Sequence, residues 1–246
     1  MFAVFCLRLA FGLLLSLWLL FSFPINPRFY RAHFLTALGL LVGAAILLIT
    51  NETQPLAWWW LLPAIVLCIL GSIIWHLENS PGGKLWIILA TVCAGFNLVQ
   101  YNWENTTPLL IADNMTSALF LGSATTAMLL GHSYLMAPTM TIRPLLRILW
   151  ALGACLLLRL LLALWGLWMW TGDHSLDSLE METALWLSVR WGIGFLIPAV
   201  LVWLTYETAR IRSTQSATGI LYVVVIVCFL GELTSQLLLD KTKILL

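Results

Sequence analysis

Long apolar runs recur along the whole chain and are separated by short polar breaks. Of the 246 residues, 61% are hydrophobic and only 9% are charged, and the mean hydropathy is +0.97. Soluble domains carry roughly 25% charged residues, so most of this surface is unsuited to water. A helix needs about 20 apolar residues to cross a bilayer core, and the length accommodates about eight crossings. The sequence therefore predicts an all-α, polytopic integral membrane protein, a bundle of about eight transmembrane helices in one domain, 1–246.

The polar breaks divide the chain into its predicted helices. Pro24 ends the first apolar run, and residues 78–83 form a clear turn. Arg8 follows mostly apolar residues and no small-residue cleavage pattern closes the run, so we expect a retained first helix rather than a signal peptide. A kink is expected at Pro198. The predicted helices cover about 2–23, 32–50, 57–76, 84–99, 114–136, 144–170, 183–205 and 217–239.

The basic residues found in connections all lie in alternate connections, which orients the predicted bundle. The odd-numbered connections contain Arg28, Arg31, Lys84, Arg143, Arg147, Arg210 and Arg212. The even-numbered connections contain no Lys or Arg and collect Glu52, Glu104, Asp113 and the acidic run after Trp170. Because cytoplasmic loops carry an excess of Lys and Arg, both termini are predicted on the outer, non-cytoplasmic side. We expect a multi-pass protein of a bacterial inner (cytoplasmic) membrane, in contact with the lipid bilayer.

Several classes of function are disfavoured by what the sequence lacks. A net charge of +1 without a basic cluster argues against nucleic acid as a partner. The five cysteines lie within apolar runs and have neither disulfide nor metal-ligand spacing, so no metal site is expected. The Walker, Gly-x-Ser-x-Gly and His-Glu-x-x-His motifs are absent. We therefore assign no catalytic residues and do not expect the chain to be an enzyme on its own.

Three charged residues are singled out by their depth inside predicted helices, because a charge at mid-membrane costs at least about 2.5–3.5 kcal/mol on insertion scales. Arg159 falls near the middle of the sixth helix, while Arg190 and Glu232 lie at matching depths in the seventh and eighth. Asn97 and Gln236 reach a comparable depth. We expect these five residues to form an intramembrane polar cluster, because pairing opposite charges is the least costly way to bury them. The cluster is either a structural ion pair or a site for a substrate, a proton or a quinone.

The histidines form a second group of candidates. His33, His76 and His132 all fall toward the predicted cytoplasmic side. Facing imidazoles at one depth are typical axial ligands of haem b. His132 and Tyr134 are also suited to hydrogen-bond a quinone carbonyl between apolar walls. The alternative is that these are ordinary interfacial histidines bonded to backbone carbonyls.

These features favour an integral membrane subunit of a bacterial electron-transfer complex that binds quinone or haem b and pairs with other membrane or peripheral subunits. Buried ionisable groups, short connections and the lack of a catalytic motif carry this interpretation. The first alternative is a small-solute or proton-coupled transporter with Arg159, Arg190 and Glu232 as its translocation site. The second is a non-catalytic membrane scaffold or assembly protein.

Overall fold

The structure is a computed structural model. It describes residues 1–50, 58–77, 82–100, 107–137, 140–173 and 181–242, which form helices and their connecting turns. The helices are α1 (Phe2–Ser16) with a 3₁₀ extension (Leu17–Leu20), α2 (Pro27–Thr50), α3 (Trp58–Ile74), α4 (Gly83–Gln100), α5 (Pro108–Met136), α6 (Arg143–Asp173), α7 (Met181–Trp191), a π-helical segment (Gly192–Leu196), α8 (Ile197–Arg210) and α9 (Thr214–Thr242). The all-α prediction is confirmed for these residues.

Six helical units are long and apolar enough to cross a membrane. They are Phe2–Leu20, Pro27–Thr50, Gly83–Gln100, Arg143–Gly172, Met181–Arg210 and Thr214–Lys241. The apolar part of α3 is shorter, at Leu61–Ile74. Helix α5 has 29 residues, but its polar side chains lower its hydropathy. With α7, the π segment and α8 counted as one unit, the described residues contain the eight helical units that the sequence predicted.

The start of α1 and the end of α9 lie toward the same end of the bundle, since Arg8 Nη1 and Glu232 Oε2 are 3.8 Å apart. Lys241 near the end of α9 forms an ion pair with Glu182 at the start of α7. At the other end, Arg147 at the start of α6 donates a hydrogen bond to the Leu19 carbonyl at the end of the first unit, with an Nη1 to O distance of 3.1 Å. We call the half of the bundle nearer the two termini the terminal half.

Helix α5 is the central helix of the described bundle, in contact with α1, α2, α6 and α9. Its buried positions are rich in Ala, Gly, Ser and Thr, which allow neighbouring helices to approach closely. The Thr107 side chain accepts a hydrogen bond from the Leu110 backbone N–H at 3.2 Å, and Pro108 takes the first helical position. The helix therefore begins at Pro108 rather than near Asn114, where the sequence pattern placed it.

Two pairs of glycines, Gly12 with Gly122 and Gly194 with Gly231, allow helices to pack closely in the terminal half. A Cβ added to Gly12 of α1 would overlap the Ala118 carbonyl, and one on Gly122 of α5 would overlap the Gly12 backbone. A Cβ on Gly231 of α9 would lie 2.5 Å from the Gly194 Cα in the π segment. The two crossings therefore require residues without side chains.

The π segment interrupts the seventh predicted helix just before Pro198, where a kink was expected. Proline has no N–H to donate to the carbonyl four residues earlier, which here is that of Gly194. The backbone widens into π geometry over Gly192–Leu196 and then continues as α8. Such interruptions are often found at functional sites.

Candidate functional site

Five charged side chains from five helices meet inside the terminal half of the bundle. They are Arg8 on α1, Asp113 on α5, Arg159 on α6, Arg190 on α7 and Glu232 on α9. None of these side chains is more than 7% exposed. We call these five residues the charge cluster. Groups that strongly prefer water are thus buried in the interior of a bundle whose outer surface is expected to face lipid.

Arg159 joins the two carboxylates of the charge cluster. Its Nε donates to Glu232 Oε1 at 3.1 Å and its Nη2 to Glu232 Oε2 at 2.9 Å, a bidentate arrangement. Its Nη1 forms a close ion pair with Asp113 Oδ1. All three nitrogens of the Arg159 guanidinium therefore have carboxylate partners.

Arg8 is also fully engaged. Its Nη2 lies 2.7 Å from Asp113 Oδ2, its Nε donates to Asn114 Oδ1 at 2.9 Å, and its Nη1 donates to Ser117 Oγ at 3.1 Å. The Ser117 hydroxyl in turn donates to Glu232 Oε2. The Gly12–Gly122 crossing makes these contacts possible, because Arg8 lies one turn before Gly12 and Ser117 just over one turn before Gly122.

Arg190 differs from the other two arginines. Its Nη1 donates to Glu232 Oε1 at 3.3 Å, and its guanidinium carbon lies 4.2 Å from the centre of the Phe195 ring. Its Nε and Nη2 are buried and have no hydrogen-bond partner among the described residues. Both polar atoms of the Gln236 amide, one turn beyond Glu232 on α9, are likewise buried and unpartnered there. Three guanidinium groups and two carboxylates leave the charge cluster with one net positive charge.

The structure therefore brings together Arg159, Arg190 and Glu232, and places Gln236 on the next turn. Asn97 is buried on α4, which packs against α1 and α3, and its Nδ2 donates to the Cys93 carbonyl of its own helix at 2.8 Å. Its membership of the predicted polar cluster stays a prediction.

Sequence reasoning missed Arg8 and Asp113. Asp113 was assigned to an outer connection, which is incorrect: α5 begins at Pro108, so Asp113 points into the bundle from its second turn. The Thr-Pro pair at residues 107–108, a strong helix-start signal, would have corrected the boundary. Arg8 was treated only as a charge near the N-terminus, although it lies inside the first apolar run as Arg159 lies inside the sixth.

The four residues considered for a quinone or haem site lie apart from the charge cluster and have separate partners. His33 is buried, with Nδ1 3.0 Å from the Phe29 carbonyl oxygen and Nε2 3.2 Å from Thr126 Oγ1. His76 is exposed, and its Nδ1 lies 3.0 Å from Arg31 Nη1. His132 is exposed, and its Nδ1 lies 3.5 Å from the Tyr222 hydroxyl oxygen. The Tyr134 hydroxyl donates a hydrogen bond to the Thr141 carbonyl at 2.6 Å.

Both ring nitrogens of His33 are thus occupied by protein groups, which leaves neither in position to ligate an iron without losing a bond. Among the described residues, the histidines, cysteines and acids do not form a group of three or more that is suited to hold a metal ion.

A groove of about 430 Å³ lies between α6 and α8. Its walls are largely apolar and include Trp150, Leu157 and Trp203, whose side chains are exposed on the surface expected to face lipid. Tyr206 and Glu207 lie at one end, and Phe195, which packs against Arg190, lines the other. The groove therefore extends from the non-terminal end of the bundle toward the charge cluster.

The fold and the site define the protein as a multi-helix bundle of membrane-spanning character with a buried charge cluster. The chain matches no protein-family model, and comparisons with curated proteins and with solved structures give no match.

Proposed function

We propose that the protein is a multi-pass protein of a bacterial inner membrane that moves a small solute across that membrane, with the charge cluster as the translocation site. The observation that carries this proposal is incomplete pairing: two nitrogens of Arg190 and both amide atoms of Gln236 are buried without a partner among the described residues. Ionisable groups inside membranes are rare and mark substrate or ion pathways.

A purely structural role explains the charge cluster less well. A buried ion pair seldom repays the cost of removing two charges from water, and apolar side chains of similar volume hold helices together at least as well. The third arginine, Arg190, shares Glu232 with Arg159, so it adds a further buried charge without a carboxylate of its own. A site that pairs with a bound solute needs such an excess positive charge, because the solute then supplies the missing partner.

The helix break next to Arg190 also supports transport. Transporter sites are commonly built near the membrane midplane where a spanning helix is discontinuous. Here Arg190 is the last residue but one of α7, and the π segment begins two residues after it. Glu232 forms ion pairs with arginines on three different helices, of which Arg159 and Arg190 also donate hydrogen bonds to it. A small shift of α7 or α9 would therefore exchange one set of bonds for another, which suits a site that alternates between states.

The sidedness follows from the basic residues at the non-terminal end of the bundle. Arg28, Arg31, Lys84, Arg143, Arg147, Arg210 and Arg212 all lie at that end. By the positive-inside rule it faces the cytoplasm. The charge cluster then lies in the outer half of the membrane and both termini are outside.

Uptake into proteoliposomes tests the proposal. The purified protein is reconstituted and offered labelled carboxylates, phosphate, amino acids, sugars, alkali cations and protons, each with and without an imposed pH gradient. We expect uptake of at least one solute above that of protein-free vesicles, with loss of most of it in Glu232→Gln. Glu182→Gln, which alters an exposed carboxylate at the terminal end, is the matched control and should retain uptake. Uptake equal to that of empty vesicles for every class would overturn the proposal.

A second candidate, an electron-transfer subunit that binds quinone and associates with other subunits, is favoured by the groove between α6 and α8. Its apolar walls suit an isoprenoid tail, and the Tyr206 hydroxyl at its end is a donor for a quinone carbonyl. Lipid extraction of the purified protein, with reduced-minus-oxidised spectra, tests this candidate and haem b together. Quinone at near-stoichiometric amount that is lost in Tyr206→Phe would support it. If the purified protein contains no quinone and shows no haem spectrum, the candidate is excluded.

A further inference from the structure

We propose that Arg190 and Gln236 form the recognition site for an anionic oxygen group, a carboxylate or a phosphate, on the solute that the protein carries. This inference rests on the transport function proposed above and names its substrate class. Two arginines of the charge cluster differ in their pairing. Arg159 presents Nε and Nη2 to the two oxygens of Glu232. In Arg190 the same two nitrogens are buried and have no partner among the described residues.

The identity of the unpartnered atoms determines the chemistry of the ligand. Nε and Nη2 lie along one edge of the planar guanidinium, and this edge matches two oxygens of one carboxylate or phosphate. The third nitrogen, Nη1, is directed to Glu232, so the arginine is held in place while the edge stays available. A point cation such as lysine would not offer this edge.

The surroundings of Arg190 keep its guanidinium in one position. A Cβ at Gly194 would lie 3.0 Å from its Nη1, and a Cβ at Gly231 would lie 3.3 Å from the same atom. On another side the Phe195 ring lies 4.2 Å from the guanidinium carbon, at cation–π distance. The glycines therefore make room for the group and the ring supports it, which prepares the unpartnered edge before a ligand arrives.

Gln236 supplies a second, neutral contact. It follows Glu232 by four residues on α9, so both side chains lie on one helix face. Burying an amide with neither its N–H nor its oxygen bonded to a described residue is costly, and a ligand oxygen that accepts from the Gln236 N–H would offset part of that cost. A single negative charge on the ligand neutralises the excess positive charge of the cluster. The site is therefore suited to a monovalent carboxylate or to monobasic phosphate.

Anion binding by the purified full-length protein in zwitterionic lipid nanodiscs tests the site without requiring transport. Thermal unfolding is followed by tryptophan fluorescence while sodium acetate or inorganic phosphate is titrated at constant ionic strength against sodium chloride. Because a ligand that binds only the folded state raises its midpoint, each titration yields a Kd. We expect saturable stabilisation by acetate or phosphate beyond that of chloride. Stabilisation no greater than that of chloride would overturn the inference.

Three variants assign the effect to the proposed residues. Arg190→Lys keeps the charge but loses the two-nitrogen edge and should raise the Kd at least tenfold. Gln236→Leu should raise it severalfold and also serves if Arg190→Lys fails to fold. Arg28→Lys, at an exposed position at the other end of the bundle, is the matched control and should bind as the wild type does. The inference is overturned if the Kd is unchanged in both Arg190→Lys and Gln236→Leu. It is also overturned if Arg190→Lys does not fold and the Kd of Gln236→Leu is unchanged.

Two further arms separate the sources of the anion and the two proposals. The phosphate titration is repeated with the protein in nanodiscs that contain phosphatidylglycerol. If this lipid competes with phosphate in the wild type but not in Arg190→Lys, the anion site is supported with a lipid phosphate as its occupant. Absence of competition would support it with a free solute. Anion binding without uptake in proteoliposomes would leave this inference standing and overturn transport. Uptake of a neutral or cationic solute that depends on Glu232, without anion binding, would leave transport standing and overturn this inference.

Discussion

Arg159 holds Glu232 through two parallel hydrogen bonds, from Nε to Oε1 at 3.1 Å and from Nη2 to Oε2 at 2.9 Å, although 73 residues separate the two in sequence. The same arginine pairs with Asp113 through its remaining nitrogen. Helices α5, α6 and α9 are therefore tied together through one guanidinium. The packing of the terminal half and the electrostatics of the site depend on the same contacts.

Loss of the Arg159 charge should destabilise the bundle strongly. Arg159→Met leaves Asp113 and Glu232 with fewer cations in a buried setting, and removing one partner of a buried ion pair costs about 3–5 kcal/mol. Thermal or denaturant unfolding of the detergent-solubilised protein measures the difference. Arg28→Met, at an exposed position, is the control and should change the free energy of unfolding by less than about 0.5 kcal/mol. Equal stability of the two variants would show that Arg159 is not paired as described.

Arg8 and Asp113 should be energetically coupled. Their closest ion-pair atoms are 2.7 Å apart and both side chains are buried. In a cycle of Arg8→Met, Asp113→Leu and the double variant, we expect a coupling of about 0.5–3 kcal/mol, because each single change leaves an unpaired group. A cycle of Arg8→Met with Lys84→Met, at the opposite end of the bundle, should be additive. Additivity in both cycles would separate Arg8 from Asp113.

The Gly12–Gly122 crossing should not tolerate a methyl group. In Gly122→Ala the new Cβ would overlap the Gly12 backbone, so α1 and α5 must move apart and the bonds of Arg8 must lengthen. We expect a loss of about 1–3 kcal/mol, as for overpacked cores. Gly39→Ala is the matched control, since its Cβ would meet nothing within 4 Å, and it should be neutral or stabilising. Unfolding midpoints of the two variants decide the matter.

Both termini should lie outside the cytoplasm. Alkaline phosphatase fused after Leu246 should be active in cells, and the same enzyme fused after Ser213, between α8 and α9, should be inactive. Green fluorescent protein at the two positions should give the opposite pattern. Fluorescence at the C-terminus with active phosphatase at Ser213 would reverse the proposed orientation and place the charge cluster in the cytoplasmic half.

The sequence carried most of the architecture because a bilayer imposes strict rules on it. The need for about 20 apolar residues per crossing made the helical units recognisable from their composition. Arg190 and Glu232 were recognisable for the same reason, since a charge in an apolar run requires an explanation. The start of α5 was misplaced because Asp113 and Asn114 resemble loop residues, whereas in the fold they are helical and buried.

The sequence by itself determined that the chain forms apolar helices and that a few charges must be hidden among them, because burial of charge in oil is costly wherever the helices lie. Only the tertiary structure decided which charges meet. That choice depends on close crossings such as Gly12 with Gly122 and Gly194 with Gly231, between residues far apart in the chain. It also decided that the guanidinium nitrogens of Arg8 and Arg159 are all paired, whereas two nitrogens of Arg190 have no partner among the described residues, because pairing depends on which helix faces which neighbour.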